Sequence, residues 1–177
     1  MIAGALLAAG LGFAAFLRRG DETSRLDGIY ARLFGDPDLG PVDFAHLERR
    51  PYANDALACP EGRCPGIRVD LVSPVFPVPP ERLRAIVMEV AANEPGAEVV
   101  GSAEGWQDQY VVRSRVMRFP DTVSVEIFGL GPDRSTLALY SRSQIGHYDF
   151  GVNRARIERW LERIGAIAAE PPPVSEG

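Results

Sequence analysis

Residues 110–118, 122–128 and 135–144 each alternate apolar and polar side chains at a period of two. Successive strand side chains point to opposite faces of a sheet, so such a run reads as a half-buried strand. The separators are short: Phe119-Pro120-Asp121, then a Gly- and Pro-containing loop over 129–134. Connections this short join antiparallel neighbours, because a parallel crossover needs a dozen residues or more. An antiparallel meander is therefore expected. Alternation puts Val112, Ser114 and Val116 on one face with Val123, Val125 and Ile127. With Pro120-Asp121 as a two-residue turn, Arg115 falls across from Glu126 and Arg113 across from Phe128. Pairing Ile127 with Leu137 adds Leu139, Ser141 and Ser143 to the apolar face. The other face carries Arg113, Arg115, Glu126, Thr136, Tyr140 and Arg142, and reads as polar sheet surface.

Two helices are expected to cover the apolar face. Residues 80–93 open with Pro80 and Glu81 and place Leu83, Ile86, Val87 and Val90 at helical spacing, ended by Glu94-Pro95-Gly96. From about residue 150, Ile157, Trp160, Leu161, Ile164 and Ile167 form one stripe at 100° per residue. Residues 67–78, bounded by prolines, and 97–103 read as further strands. The expected fold class is α+β: an antiparallel β-meander packed against a long C-terminal helix and a shorter helix, behind an N-terminal membrane-anchor helix.

The ends are distinct from this core. Residues 1–17 are apolar and uncharged and are followed by Arg18 and Arg19. As a helix they span about 25 Å at ~1.5 Å per residue, close to the hydrocarbon thickness of a bilayer. No basic stretch precedes them, so an uncleaved anchor is the reading over a cleaved signal. The domain plan is an anchor or signal-like segment over 1–19, a juxtamembrane helix and Pro/Gly-rich tether over 20–58, one globular domain over 59–168, and a disordered tail over 169–177. Within the second part, residues 23–34 read as a helix, with Ser24 and Asp27 spaced as a capping box.

The chain has 177 residues, enough for one domain with a substantial core. Its net charge of −5 gives no global field for nucleic acid. The charge is uneven: residues 110–164 carry nine arginines against six acids, and every basic residue in the chain is arginine. Cys59 and Cys64 lie in ACPEGRCPG, a short loop with turn residues inside it. A disulfide, two free thiols and a metal are all open. Zinc wants four ligands, and the chain adds only His46 and His147, so the disulfide leads. Arg18 and Arg19 favour a cytoplasmic domain by the positive-inside rule. A disulfide favours the periplasm, and we read the localisation as inner membrane with a periplasmic domain.

The run SRSQIGHYDFGVNRARIERW, 141–160, concentrates the polar chemistry. Asp149 is a natural N-cap for the last helix. Asn153 projects onto the apolar stripe, where a polar group needs partners. Ser141, Ser143 and the backbone near Gly146 are the nearest expected. Two readings follow: a hydrogen-bonded clasp fixing helix to sheet, or a site for an anionic or polar group built from Ser141, Ser143, Asn153 and Arg156 at the helix N-terminus. The sheet arginines Arg113, Arg115 and Arg142 are candidate donors to the same class of ligand. His147 and Asp149 invite a Ser-His-Asp hydrolase with Ser141 or Ser143, but G-x-S-x-G is absent, as are a P-loop, G-x-G-x-x-G and HExxH.

The stretches RSRVMRFPDTVSV and YSRSQIGHYDFGVNRARIERW, with the upstream PVDFAHLERRPYANDALACPEGRCP, resemble the bacterial and plastid family called domain of unknown function 1499, over about residues 40–165. The resemblance implies an envelope or thylakoid-lumen setting behind a membrane or signal segment, and brings no catalytic residues with it. The element order is also similar to helix-grip, ligand-cupping domains, a fold analogy that assigns no function. The leading expectation is a membrane-tethered, non-enzymatic binding or accessory domain. Its expected partners are the membrane through 1–17 and a protein or a small anionic or lipidic ligand, with no nucleic acid and no cofactor. The alternatives are a scaffold docking by its Arg-rich sheet face and the Ser141/Ser143 hydrolase.

Overall fold

The computed structural model of the chain describes residues 23–102 and 106–170. The elements are α1 (Thr23–Phe34), β1 (Asp55–Cys59), β2 (Leu71–Val72), α2 (Pro80–Ala92), β3 (Ala97–Ser102), β4 (Gln107–Arg113), β5 (Pro120–Gly131), β6 (Arg134–Ser143) and α3 (Val152–Ala168). They build one mixed six-stranded sheet in the order β2-β1-β6-β5-β4-β3. The meander β3 to β6 is antiparallel throughout, and of these strands only β1 and β2 pair in parallel. The α+β class stands. The expected anchor lies outside the described residues, among which no helix is long and apolar enough to cross a membrane.

The helix-facing side of the sheet follows the expected parity. Ile127 pairs with Leu137. Tyr110, Val112, Val123, Val125, Ile127, Leu137 and Leu139 pack against Leu83, Ile86 and Val87 of α2 and Ile157, Trp160 and Ile164 of α3. The Trp160 ring meets Tyr110 edge-on, with centroids 5.7 Å apart. A buried side chain of this size contributes about 2–3 kcal/mol, so this face supplies most of the apolar stabilisation.

Three expectations need correction. First, Pro120-Asp121 is no turn. Pro120 opens β5, and the hairpin turns over 114–119, where the Phe119 amide donates to Ser114 Oγ at 3.0 Å. Proline lacks a ladder donor and is tolerated at a strand's first residue. The register moves accordingly: Glu126 pairs with Gln107 and Arg113 with Pro120, so neither the Arg115–Glu126 nor the Arg113–Phe128 partnership forms. Second, residues 67–78 yield only Leu71–Val72 as strand, while β1, placed by the sequence in the tether, joins the sheet beside β6. Third, the polar sheet face is not solvated surface. Val42, Phe44, Leu57, Cys59, Cys64, Ala138 and Tyr140 form a second buried apolar cluster there. Cys59 and Cys64 are joined in a disulfide within it.

The tether is locked to that face by a buried charge network. Arg49 pairs with Asp55 and, at 2.7 Å, with Asp70. The Tyr140 hydroxyl donates to Asp55 at 2.6 Å. Burial, reinforced by that bond to Asp55, pushes the Tyr140 phenol up. Gln107 completes the seam, exchanging two hydrogen bonds with the Val42 backbone at 2.7 and 2.8 Å.

Candidate functional site

The β6-to-α3 corner is built around Asn153, fully buried in the first turn of α3. Gly151, at φ +79°, occupies the N-cap position expected of Asp149. The Asp149 carboxylate still accepts the Gly151 and Asn153 amides, both at 2.9 Å, and so satisfies two otherwise orphaned donors. Asn153 Nδ2 donates to Asn54 O and Ser143 Oγ at 3.0 Å and to Asp149 Oδ2 at 2.8 Å. Its Oδ1 accepts from Ser141 Oγ at 2.6 Å and from Arg156 Nη1 at 2.8 Å. Asn54 in turn donates to the Gly146 carbonyl at 2.7 Å. The polar residue on the apolar stripe thus has the two serine partners expected of it, while the backbone near Gly146 is held through Asn54.

Arg156 is buried, at 4% exposure. Its Nη1 also donates to Ser141 Oγ at 2.9 Å, and its Nη2 donates to Asp121 Oδ2 at 2.7 Å. Nε has no hydrogen-bond partner among the described residues, the Glu94 carboxylate standing off at 4.0 Å. Glu94 is itself held by Arg159 and by the Trp160 indole N–H, each at 3.2 Å. Sequence reasoning missed Asp121 and Glu94, having read one as a turn residue and the other as a helix stop. A signal for the first existed. Residues 121, 123, 125 and 127 share parity, so Asp121 belongs to the helix-facing side and needs a cation there.

Beside this clasp runs a cleft of about 640 Å³ between α3 and the end of β4, lined by Arg113, Arg115, Arg156, Arg159 and Arg163 with Glu94 and Glu162. Val112, Val152, Pro95 and Ala166 add apolar wall. Of the seven candidate ligand residues, Arg113, Arg115 and Arg156 line this one cleft. Ser141 and Asn153 accept from Arg156, and Ser143 accepts from Asn153. Arg113 is already engaged, with Asp27 of α1 at 3.1 Å and Glu98 at 2.9 Å. Arg115 and Arg163 are exposed. Arg142 is not part of the cleft. It sits on the tether side, its guanidinium 5.5 Å from the Tyr140 ring centroid, and desolvation holds it below the ordinary arginine range.

His147 and the two serines do not assemble. His147 is exposed and packs edge-on against Tyr52 at 4.2 Å, while Ser141 and Ser143 are buried in the clasp. Among the described residues, no grouping of three or more His, Cys, Asp or Glu is arranged to hold a metal.

The fold and corner define a one-sheet α+β domain whose last helix is clasped to the sheet by buried polar groups beside a cationic cleft. The chain belongs to the family described as protein of unknown function (DUF1499), whose model matches residues 53–164. That span contains the sheet, the clasp and all of the cleft's named lining but Ala166. No curated protein matches the chain. Among solved structures, the crystal structure of TTHA0849 from Thermus thermophilus is similar at 12% identity, covering 66% of this chain and 99% of that one with a TM-score of 0.34. At that score the likeness carries no argument.

Proposed function

We propose that the protein is a membrane-tethered, non-enzymatic accessory domain of the bacterial envelope that binds an anionic ligand in the cleft between α3 and the end of β4. One observation carries this reading. Arg156 is buried, oriented by Asn153 and Asp121, and lines the cleft with four other arginines. Arg113, Arg156 and Arg159 already meet carboxylates, and the exposed Arg115 and Arg163 add the positive charge that favours an anion, while the apolar wall suits a ligand with a hydrocarbon part. The periplasmic setting rests on the Cys59–Cys64 bond, which belongs to oxidising compartments.

Neither alternative gains comparable support. Ser141 Oγ donates to Asn153 and accepts from Arg156 inside the clasp, so it is not offered to a substrate as a hydrolase requires. A scaffold docking through the Arg-rich sheet face would need that face open, and residues 36–69 cover it.

The test is thermal unfolding of the full chain with soluble dihexanoyl phosphatidylglycerol. Ligand at a hundredfold excess over Kd adds about 2.7 kcal/mol to the native state, a readable rise in Tm. The rise should be lost in Arg115→Glu/Arg163→Glu, two exposed positions whose change leaves the apo Tm in place. An equal rise in wild type and variant rejects the cleft. An inactive C-terminal alkaline phosphatase fusion rejects the periplasmic setting.

A further inference from the structure

One end of the sheet gathers several features that the ligand site leaves unexplained. The register sets this end: Arg113 pairs with Pro120, Asp121 with Ser143, and Asp55 with Arg142. The 114–119 turn, the 144–151 loop and the lead into β1 therefore emerge together. Helix α1 is fixed here as well. Arg118 pairs with Asp27 at 2.7 Å, the Tyr30 hydroxyl donates to Met117 O at 2.8 Å, and Gln144 Nε2 donates to Asp36 O at 2.9 Å.

This end is crowned by apolar side chains that the described residues leave uncovered: Leu33, Phe34, Val116, Tyr148, Phe150 and Val152 are all exposed. Phe150 is the extreme case, at 94% exposure and φ +55°. A left-handed backbone suits glycine or asparagine and strains an aromatic residue, and a side chain this exposed gains nothing from burial. Folding alone therefore does not favour phenylalanine at this position. Tyrosine is enriched at membrane–water interfaces, and an exposed phenylalanine beside it adds apolar area that the same layer takes up.

Charge and chain length point to the same occupant. Val152 is both part of the apolar crown and a wall of the cationic cleft, and the exposed Arg32 and Arg115 stand on α1 and the turn. Anionic headgroups attract arginines at about 1 kcal/mol each near the surface. The apolar run over 1–17 is separated from Thr23 by five residues, which reach at most about 18 Å when extended. A segment entering a bilayer there keeps α1, and so this end of the sheet, near its surface.

We infer that this end of the domain lies on an anionic bilayer, with Tyr148 and Phe150 in the interfacial layer and the cleft arginines on lipid phosphates. The second half of the inference rests on the ligand site proposed above, and names its ligand as a bilayer phospholipid. The loop insertion stands without it.

The experiment places a nitroxide on Phe150→Cys of the full chain, in vesicles of equal parts phosphatidylglycerol and phosphatidylcholine. The native cysteines are bonded to each other and do not compete for label. A label on Asp133→Cys, in the exposed turn at the opposite end of the sheet, is the control. At position 150, collisions with membrane-soluble oxygen should exceed those with a water-soluble nickel chelate several-fold more than at position 133. They should fall back in pure phosphatidylcholine. Equal nickel access at both positions overturns the inference. So does shielding of position 150 from both reagents, which would mean that residues 1–22 or a second copy cover this end. The two readings separate cleanly. A label that stays in water while dihexanoyl phosphatidylglycerol still stabilises the wild type keeps the ligand site and removes the docking. A label that enters the bilayer equally in the Arg115→Glu/Arg163→Glu background keeps the docking and removes the cleft from it.

Discussion

Arg156 Nη2 and Asp121 Oδ2 meet at 2.7 Å, with side chains 5% and 10% exposed, and join the last helix to the first residues of β5. Two buried charges in register hold α3 against one position on the sheet.

Removing one partner leaves the other charge buried and unpaired. Arg156→Met should lower stability by about 3–5 kcal/mol in urea unfolding. Asp121→Asn, which keeps an acceptor, should cost less. The double change Arg156→Met/Asp121→Leu should recover much of the single-variant loss, because a well-packed apolar pair of similar volume is often as stable as a buried ion pair.

Asn153→Ala should act on stability. It strips partners from Ser141, Ser143, Asp149 and Arg156 at once, and a loss of about 3 kcal/mol follows from one or two unsatisfied buried groups. Chemical denaturation measures it. Ligand binding lost with an unchanged Tm would instead make Asn153 a direct ligand contact.

Reducing the Cys59–Cys64 bond should lower stability by about 2 kcal/mol, the loop-closure value for so short a ring. Tm with and without dithiothreitol checks this. Both sulfurs belong to the tether-side cluster, so proteolysis over residues 36–69 should accelerate on reduction.

Glu126 makes an acid-range prediction. Partial burial, and secondarily the Asp43 carboxylate, push its pKa above the ordinary 4.5. A raised folded-state value means that the stability is present below the unfolded value and lost as pH rises through the folded one. Glu126→Gln should therefore raise Tm at neutral pH, with the gain vanishing as pH falls below the ordinary carboxylate range. A variant less stable than wild type at pH 7 would contradict this.

Close approach at one glycine can be tested in the same way. Gly96 has φ +81°, and a Cβ there would stand 2.5 Å from the Arg113 carbonyl oxygen. Gly96→Ala should destabilise by about 1–3 kcal/mol, from backbone strain and the displaced start of the β3–β4 ladder.

The elements that were legible beforehand are those with strong internal periodicity. Helix α1 falls on 23–34 as read, α2 ends one residue short of the reading, and Ile127 faces Leu137. The core parity of β5 and β6 follows from local spacing alone. Asn153 was legible as a residue in need of partners because a polar side chain on an apolar stripe is a local contradiction. The Pro120 turn failed because Phe-Pro-Asp carries turn chemistry whether it ends a strand or opens one, and the deciding partners, Asp121 and Arg156, are far apart in the chain. Strand β1 failed because five residues in a Pro- and Gly-rich stretch have no periodicity to set against their surroundings.

By itself, then, the sequence determined the meander, its two helices, their inward faces and the family. Each depends on spacing within one segment, where strand and helix periods write themselves into the order of residues. The tertiary structure alone decided that the tether closes the second sheet face, that Arg156 turns inward to Asp121, and that Arg113, Arg115 and Arg156 share a cleft. Those are meetings of side chains brought together only when the sheet closes and α3 docks. Their energy comes from burial and pairing across the fold, which no local pattern records.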